Sequence, residues 1–187
     1  MSEIKIRMAV PEDASELLEI YRPYVEDTAV SFEYVVPSLE EFEGRIRKVL
    51  TKFPYLVAEL DGKLVGYAYA SSFHVREAYE WCVETSIYVR KGWSGKGCGK
   101  ALYQELERML KKQNILNLNA CIAYKEEEDE YLTHQSKDFH AHMGYRLVGE
   151  FHECGYKFGR WYSMIWMEKM LGAHDTQPKK VVSITQF

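Results

Sequence analysis

The sequence predicts one α/β domain in which a mixed, mostly antiparallel sheet of about seven strands is flanked by four helices. Hydrophobic periodicity gives the element order β-α-α-β-β-β-α-β-α-β-β along the chain. A strand, a glycine-rich loop and a helix follow one another between residues 81 and 110. The strand after that helix is expected to run parallel to the strand before it. The 187 residues are 47% apolar and 14% aromatic, which is enough for one domain with a real core.

The first part of the chain predicts a strand followed by two helices. Residues 4–10 alternate apolar and polar side chains at the period of a strand. Pro11 is well placed to start the first helix, and Pro23 is expected to bend or end it. Ser38 and Glu41 have the spacing of a capping box, which predicts the start of the second helix.

The middle of the chain predicts a hairpin and then the central strand. Asp61-Gly62 separates two alternating segments, and this dipeptide favours the type I′ turn of a two-residue hairpin. Residues 81–89 carry β-branched and aromatic side chains at period two, which predicts a strand. Apolar residues then recur at helical spacing from Cys98 to Leu110, which predicts the helix after the glycine loop.

The last third predicts a strand, a short helix and two final strands. Residues 126–130, the acidic loop, are five consecutive carboxylates and are expected to be solvated. Gly144 is expected to stop the short helix. Residues 172–187 contain glycine, proline and charge, and are interpreted as a tail that follows a domain spanning residues 1–171. The predicted elements are a strand at 115–123, a helix at 136–143 and strands at 145–153 and 162–170, the last two joined by a loop at 154–161.

Composition argues against several classes of function. The net charge is −4, from 24 basic and 28 acidic residues, whereas a general nucleic-acid binder carries a basic footprint. No apolar run approaches the roughly 20 residues of a membrane span, and the N-terminus lacks a basic-then-apolar secretion signal. We therefore expect a cytoplasmic protein without a nucleic-acid partner, a membrane partner or a metal. Four widely spaced cysteines are expected to be reduced and buried: Cys82, Cys98, Cys121 and Cys154.

The loop after the central strand has the composition of an anion site. It contains four glycines: Gly92, Gly95, Gly97 and Gly99. Glycines let backbone N–H groups crowd around an anion, and the dipole of the following helix adds partial positive charge. Three lysines lie in the same stretch: Lys91, Lys96 and Lys100. The loop is either a phosphate site or only a turn. Its spacing is neither that of a Walker loop nor that of a dinucleotide fingerprint.

The segment Ser94-Gly95-Lys96-Gly97-Cys98-Gly99 resembles the acetyl-CoA pyrophosphate loop of the GNAT superfamily of N-acetyltransferases. That pattern is Arg/Gln-x-x-Gly-x-Gly/Ala, so Ser94 stands where Arg or Gln is usual, and Lys96 could supply the missing charge. The resemblance implies acetyl-CoA as co-substrate, and a GNAT fold whose fourth and fifth strands splay apart to admit its pantetheine arm. The implied cofactor-binding residues are Ile87, Val89, Ser94, Gly95, Lys96, Gly97, Cys98, Gly99, Lys100 and Ser136.

A second resemblance, from about residue 6 to residue 170, is to the phosphinothricin N-acetyltransferase group. Matching segments include Val65-Gly66-Tyr67-Ala68-Tyr69-Ala70, His140-Ala141-His142-Met143-Gly144-Tyr145 and Gly155-Tyr156-Lys157-Phe158-Gly159-Arg160-Trp161. Members of that group acetylate the α-amine of amino acids such as phosphinothricin, methionine sulfoximine and methionine sulfone. The group's Asn-Pro-x-Ser before the short helix is Thr133-His134-Gln135-Ser136 here, which keeps the serine and lacks the asparagine.

Acetyl transfer to an amine needs a base for the amine and an acid for the departing thiolate. Glu84 is the predicted base, because a carboxylate on a central apolar strand is costly without a task or a partner. The resemblance also places the group's glutamate base at Glu84; the alternative is an ordinary carboxylate at a strand end. His140 is the predicted acid, at the position of a family tyrosine, since its ring can deliver a proton near neutral pH. The alternatives are a histidine that only packs the helix, with Tyr145 or Tyr124 as donor.

The amine substrate is expected to be held by residues of two loops. Arg76 lies where the resembling group uses an arginine for the substrate carboxylate, and His74 lies beside it. The alternative for Arg76 is an ordinary surface charge. Phe32 and Glu33, in the aromatic loop after the first helix, are expected to line the other side of the pocket.

Other functions stay open at this point. A non-catalytic acyl-CoA-binding module would need neither Glu84 nor His140. An enzyme that acetylates a polyamine, an antibiotic or a protein N-terminus is a further alternative, and the acidic loop favours a polyamine. The aromatic load of residues 151–170 predicts a homodimer, because edge strands and exposed apolar surface invite pairing. The resembling group is typically dimeric.

Overall fold

The computed structural model describes residues 4–187, in which it shows seven strands and four α-helices. The strands are β1 (Lys5–Met8), β2 (Tyr55–Leu60), β3 (Lys63–Ser72), β4 (Cys82–Val89), β5 (Asn117–Tyr124), β6 (Arg146–Lys157) and β7 (Arg160–Met170). The helices are α1 (Ala14–Glu26), α2 (Leu39–Leu50), α3 (Cys98–Lys112) and α4 (Gln135–His142). Short 3-10 turns lie at Pro11–Asp13, Glu77–Tyr79 and Ile184–Gln186. The predicted element order is confirmed.

The seven strands form one sheet in the order β1-β2-β3-β4-β5-β7-β6. Neighbouring strands are antiparallel except β4 and β5, which are parallel as predicted. The β4–β5 pairing is only three residues long and ends where Glu84 pairs with Asn119. Because β4 continues to Val89 and β5 to Tyr124, the two strands splay apart beyond that pair. The predicted splay of the fourth and fifth strands is therefore confirmed.

Two apolar cores cover the two faces of the sheet. Helices α1 and α2 pack on one face around residues such as Leu17, Phe42 and Tyr67. Helix α3 packs on the other face, where Leu102 and Leu106 are buried against the strands. Each such side chain contributes roughly 1.5–3 kcal/mol on burial. Side chains alternate along each strand, so neighbouring residues of β4 face different cores.

The first helix does not end at Pro23 but continues to Glu26. Proline has no N–H to donate to the preceding turn, which weakens a helix locally. Here the Asp27 N–H donates to the Pro23 carbonyl at 2.9 Å, and the Val25 side chain is buried. These contacts stabilise the last turn of the helix after Pro23. The predicted cap of α2 is present, since Ser38 Oγ accepts from the Glu41 N–H at 3.1 Å.

The two hairpins show how turn residues set strand ends. Asp61 and Gly62 have φ angles of 50° and 76°, as the predicted type I′ turn requires. The β6–β7 connection is only Phe158-Gly159, with φ angles of 52° and 74°. The predicted loop at 154–161 is therefore wrong, because two residues with positive φ allow a tight hairpin there.

The C-terminal segment 172–187 lies against the domain. The Trp81 indole N–H donates to the Lys179 carbonyl at 2.7 Å, and Gln113 Nε2 donates to the Val182 carbonyl at 2.7 Å. Ile184 is buried. The segment thus crosses the ends of α2 and α3 and shields part of the core.

The four cysteines are free thiols, and they differ in exposure. Cys98 is buried, Cys82 and Cys121 are half-buried, and Cys154 is exposed. The expectation that all four are buried is wrong for Cys154, which lies on the edge strand β6. Within residues 4–187, no helix is long and apolar enough to cross a membrane.

Candidate active site

The splay of β4 and β5 opens a narrow gap between the two strands. Beyond Glu84, the edge of β4 that faces β5 has no strand partner among residues 4–187, so its backbone groups are available to a ligand. The gap is lined from both strands and from α4, by Thr85, Ser86, Ile87, Tyr88, Ala120, Cys121, Ile122, Ala123, Ser136 and His140. Three predicted site residues, Ile87, Ser136 and His140, thus meet at one opening.

The glycine loop lies at the open end of this gap, because it joins the end of β4 to the start of α3. Gly95 and Gly97 have φ angles of 75° and 85°, in the left-handed region that favours glycine, and Gly97 is the N-cap of α3. In the described chain, no side chain caps α3, and its first turn contains no acidic residue. Uncapped N–H groups at a helix N-terminus fit an anion such as the expected pyrophosphate.

The charged and polar side chains of this loop are open to solvent. Ser94 and Lys100 are exposed. The Lys96 ammonium lies 4.4 Å from the centre of the Trp93 ring, a cation–π contact within the loop. Lys96 therefore stands beside the helix N-terminus, where a positive charge can complement a bound anion.

Two of the predicted cofactor residues have crowded surroundings. A Cβ at Gly99 would lie 3.1 Å from the Phe139 ring and 3.4 Å from Ile87, so this glycine lets α3 and α4 approach each other. The Val89 carbonyl accepts from the Tyr24 hydroxyl at 2.7 Å, and the Val89 N–H donates to it at 3.1 Å. The Tyr24 hydroxyl therefore engages both backbone groups of Val89, whereas Ile87 lines the gap directly.

Glu84 lies where the gap begins, on the face of β4 that packs toward α1 and α2. Its side chain is half-buried, and among residues 4–187 it makes no side-chain hydrogen bond or ion pair. Burial raises the pKa of Glu84 above its usual 4.5, and the nearby His74 opposes that rise. A carboxylate with a raised pKa and no partner can accept a proton from a ligand.

His140 is buried in α4, on the opposite side of β4 from Glu84. Its Nδ1 lies 2.7 Å from the Ser136 carbonyl, which can only accept, so Nδ1 carries the ring proton. Nε2 then accepts a hydrogen bond from the Tyr103 hydroxyl at 2.9 Å. The Thr85 hydroxyl lies 3.3 Å from Tyr103 Oη and 3.1 Å from Tyr145 Oη. These groups form one buried polar network, which we call the His140 network.

Burial lowers the pKa of His140 to about 4, although its bond to the Ser136 carbonyl opposes this. Burial therefore favours the neutral ring at neutral pH, whereas the sequence alone suggested a histidine that titrates in that range. Burial raises the pKa of both Tyr103 and Tyr145, so their hydroxyls keep their protons at neutral pH. The role of His140 as acid stays a prediction, and tyrosine donors lie in the same network.

Two cavities lie on the side of the sheet that carries Glu84. One of about 540 Å³, beneath α2, is walled by Tyr21, Tyr55, Tyr67, Tyr69 and Tyr88 together with Arg45 and Lys48. The other, of about 590 Å³, is lined by the β3–β4 loop, including His74 and Arg76. Both predicted substrate-binding residues of that loop are exposed. The two cavities share the wall residues Lys52, Phe53, Ser72 and Val75, and we call the two together the acceptor region.

The loop after α1 borders the same region. We call residues 27–33 the acceptor loop. Its Glu33 carboxylate lies 2.7 Å from Arg45 and accepts from the Tyr21 hydroxyl at 3.1 Å. Burial raises the pKa of Tyr69, and the charges of Glu84 and Glu33 both add to the rise.

Sequence reasoning missed several residues of this site. Tyr103 lies among the apolar residues of α3, where a tyrosine looks like ordinary core. Arg45 looks like a solvated helix residue, and only the fold brings it to Glu33. Tyr69 had a usable signal, because Tyr67 and Tyr69 alternate on one strand and therefore face the same side.

The acidic loop is solvated as predicted at four of its five carboxylates, and Asp129 is the exception. The Asp129 side chain is 8% exposed and accepts from the Tyr131 and Leu132 N–H groups at 2.9 and 3.0 Å. It also pairs with Lys125 at 3.0 Å and with Arg160 at 3.1 Å. These partners relieve the repulsion among the carboxylates. Within residues 4–187, no group of three or more His, Cys, Asp or Glu side chains is arranged to hold a metal.

Comparisons with known proteins agree with this geometry. Residues 6–166 match the family model of the acetyltransferase (GNAT) domain. The chain is 36% identical over 172 residues to a phosphinothricin N-acetyltransferase of Alcaligenes faecalis, covering 91% of this chain and 84% of the relative. It is 27% identical over 170 residues to an L-methionine sulfoximine/L-methionine sulfone acetyltransferase of Salmonella typhimurium, covering 90% and 95% of the two chains.

A solved structure shows the same architecture. It is a GNAT superfamily phosphinothricin acetyltransferase from Sinorhizobium meliloti in complex with AcCoA. The two chains superpose with a TM-score of 0.85 at 34% sequence identity, covering 94% of this chain and 93% of the other.

Proposed function

Because the chain belongs to the GNAT family of acetyltransferases, we propose that it acetylates the α-amine of an amino acid of the phosphinothricin or methionine sulfoximine type, with acetyl-CoA as donor. The observation that carries this proposal is Glu84, a half-buried, unpaired carboxylate at the point where β4 and β5 splay. The names of the relatives support the substrate class.

Glu84 is proposed as the base. The amine nitrogen attacks the thioester carbonyl carbon, the C–S bond breaks, and coenzyme A leaves as a thiolate that takes up a proton. Glu84 accepts the proton that the amine loses, and its raised pKa brings it closer to that of the amine. Among residues 4–187 no side-chain partner competes for its oxygens, so a water or the amine itself can occupy that position.

The acid is assigned to the His140 network, with His140 as the first candidate. Its neutral ring uses its proton on the Ser136 carbonyl, so direct donation requires the rare protonated form. The alternative is a tyrosine hydroxyl, with Tyr145 as donor and His140 as the group that orients the network. A His140→Phe variant separates the two: loss of roughly 10²–10⁴-fold in kcat with an altered pH profile supports His140. An unchanged profile would assign the donation to a tyrosine.

Acetyl-CoA is proposed to bind from the glycine loop into the gap. The N-terminus of α3, with Gly95, Gly97 and Lys96, would hold the pyrophosphate, and Ile87 and Ser136 would line the path of the pantetheine arm. The uncapped first turn of α3 supports the first part, and the unpaired edge of β4 supports the second. The bound acetyl-CoA supplies the activated thioester.

The amine substrate is proposed to occupy the acceptor region. Arg76, with His74 beside it, would hold the substrate carboxylate, and Phe32 and Glu33 would line the other wall. The exposure of the Arg76 guanidinium in a cavity supports this role. Arg76→Ala should raise the KM for an α-amino acid while leaving the KM for acetyl-CoA unchanged. An unaltered amino-acid KM would remove Arg76 from the proposal.

The decisive experiment is a panel of amines incubated with acetyl-CoA and followed by thiol release. The panel contains methionine sulfone, methionine sulfoximine, glutamate analogues and spermidine, with Glu84→Gln as the matched inactive variant. We expect the amino acids to react and Glu84→Gln to turn over roughly 10²–10⁴-fold more slowly. Near-native turnover by a folded Glu84→Gln protein, or acetylation of spermidine alone, would contradict the proposal.

The acidic loop is the feature that favours a polyamine substrate, and part of its charge is paired within the chain. The acidic loop was the reason to consider a cationic amine, but Arg160 pairs with Glu130 at 2.7 Å and with Asp129 at 3.1 Å. Lys125 and Arg160 together offset two of the five negative charges of the loop, and Glu126, Glu127 and Glu128 are exposed.

We further infer a homodimer in the cytoplasm. Leu147, Val148, Phe151 and Trp161, on the edge strand β6 and its neighbour β7, are 56–61% exposed, and a second copy would cover them. Free thiols suit a reducing compartment. Sedimentation equilibrium should give about twice the 21.9 kDa of one chain, and Phe151→Asp should shift it toward one chain. A wild-type mass of 21.9 kDa at micromolar concentration would contradict the dimer.

A further inference from the structure

The end of β6 has an unusual burial pattern for an edge strand. Most of β6 is exposed, but Gly155 and Lys157 are buried, with the exposed Tyr156 between them. Residues two apart on a strand point to the same side, so Gly155 and Lys157 form one small surface. This surface, which we call the β6 platform, lies against the acceptor loop.

Lys157 binds the chain segment that carries the acceptor loop. Its ammonium donates to the Val25, Thr28 and Ser31 carbonyls at 2.7, 2.8 and 2.7 Å. An ammonium has three N–H donors, so all of them are used. The residue is 3% exposed, and among residues 4–187 no carboxylate pairs with it.

The charge of Lys157 is therefore compensated by backbone dipoles and, at longer range, by the Glu33 carboxylate. Val25 lies in the last turn of α1, where helix carbonyls lack an intrahelical partner and carry partial negative charge. Thr28 and Ser31 belong to the acceptor loop itself. One side chain thus joins the end of α1 to two points of the acceptor loop, the second of them directly before Phe32. A neutral side chain could not satisfy these three acceptors.

Gly155 meets the same loop through an aromatic ring. A Cβ at Gly155 would lie 2.0 Å from Cε2 of Phe32 and 2.6 Å from its Cδ2 and Cζ. The ring therefore rests on the glycine backbone, in space that only glycine leaves free. Gly155 has no positive φ, so its role here is close approach and not backbone conformation.

We infer that Gly155 and Lys157 are positioning residues that set the acceptor loop, and through it the amine site. Lys157 holds the backbone of the loop, and Gly155 sets the depth of the Phe32 ring. The inference rests on the proposed function, in which Phe32 and Glu33 border the amine substrate. The fold alone does not require glycine and lysine at these two positions of β6. The inference explains why both residues are there.

Gly155→Ala is the sharper test. Non-bonded carbons approach to about 3.5 Å, so the Phe32 ring must move by roughly 1.5 Å. A misplacement of about 1 Å in a positioned site can cost on the order of 100-fold in rate. We expect kcat/KM for the amine to fall roughly 10- to 100-fold, mainly through KM, while the KM for acetyl-CoA stays within about twofold.

Gly149→Ala is the matched control, because Gly149 lies on the same strand and a Cβ there meets nothing within 4 Å. Lys157→Met is the second variant, with Lys169→Met as its control. Lys169 Nζ bonds Glu107 and the Met143 carbonyl at 2.7 Å, away from the acceptor loop. Hydrogen exchange of the amides at 28–33 should quicken roughly tenfold or more in Lys157→Met and stay at the wild-type rate in both controls.

The outcomes separate this inference from the proposed function. If the wild type acetylates no amine in the panel, the proposed function fails, and exchange at 28–33 still tests the platform. If the wild type is active and a folded Gly155→Ala matches Gly149→Ala in amine KM and in exchange, the inference is overturned. If Lys157→Met does not fold, Gly155→Ala alone decides. An equal rise in the KM of both substrates would also overturn it, because that pattern indicates general disruption.

Discussion

Replacing Asp129 by asparagine tests whether a charge holds the acidic loop. Burial by itself raises the pKa of Asp129. The Tyr131 N–H, Lys125 and Arg160 outweigh that effect and hold the pKa at about 2, below its usual 3.8. Asparagine keeps an oxygen for the backbone N–H groups and removes the charge. The variant therefore removes the charge together with the Oδ2 acceptor of the Tyr162 hydroxyl, and the pH dependence separates the two.

The size of the effect follows from the pKa. A value of about 2 in place of 3.8 corresponds to about 2 kcal/mol of free energy of unfolding. Lys125 and Arg160 are 35% and 37% exposed, so solvent screens part of the attraction, and we expect about 1–2 kcal/mol. Because the folded-state pKa is lowered, this stabilisation is complete above about pH 5 and is lost as the pH falls toward 2.

The assay is urea unfolding of the wild type, Asp129→Asn and Glu127→Gln at pH 7 and at pH 3. Glu127 is exposed and forms no ion pair within residues 4–187, so it is the matched control. We expect Asp129→Asn to be about 1–2 kcal/mol less stable at pH 7 and about half of that at pH 3, and Glu127→Gln to stay within about 0.5 kcal/mol of the wild type. A deficit of equal size at both pH values would refute the electrostatic reasoning.

Two further changes test the packing around the gap. Tyr103→Phe removes the donor to His140 Nε2 in a buried network, so the free energy of unfolding should fall by about 1–3 kcal/mol in urea; wild-type stability would mean that the ring finds another donor. Gly66→Ala places a Cβ 2.9 Å from Cys98 Sγ and 3.1 Å from the Tyr88 carbonyl, and should cost about 1–3 kcal/mol by thermal unfolding. Adding Cys98→Ala should recover only part of that loss, and full recovery would show that the carbonyl contact is harmless.

Much of the fold could be predicted because its signals are local. Asp61-Gly62 specifies its own turn through positive φ angles, and Ser38 caps α2 from three residues away. The order of the elements and the glycine loop then follow from periodicity. Where local signals compete with packing, the sequence leaves alternatives open: Pro23 could bend or end α1, and the helix continues past it with Val25 buried.

The finer chemistry of the site could not be predicted, because it depends on distant residues. The three carbonyls that hold Lys157 lie more than 120 residues away in sequence. The lowered pKa of His140 comes from burial by elements that a local pattern does not bring together. Asp129 looked like one solvated carboxylate among five, and only the β6–β7 hairpin brings Arg160 to it. Local sequence patterns were enough to identify candidate site residues. Their protonation and their hydrogen-bond partners depend on tertiary contacts.

Because β4 and β5 pair over only three residues, the sheet consists of two halves that are weakly joined. We call the line between β4 and β5 the seam. A ligand arm bound in that seam would contact both halves of the sheet and hold them together. Ligand that binds only the folded state adds stability by mass action, about 2.7 kcal/mol when its concentration is 100 times its Kd. We therefore expect the empty protein to open first along this seam and to be cut there by proteases. Cellular acetyl-CoA supply would then govern the abundance of this enzyme as well as its rate.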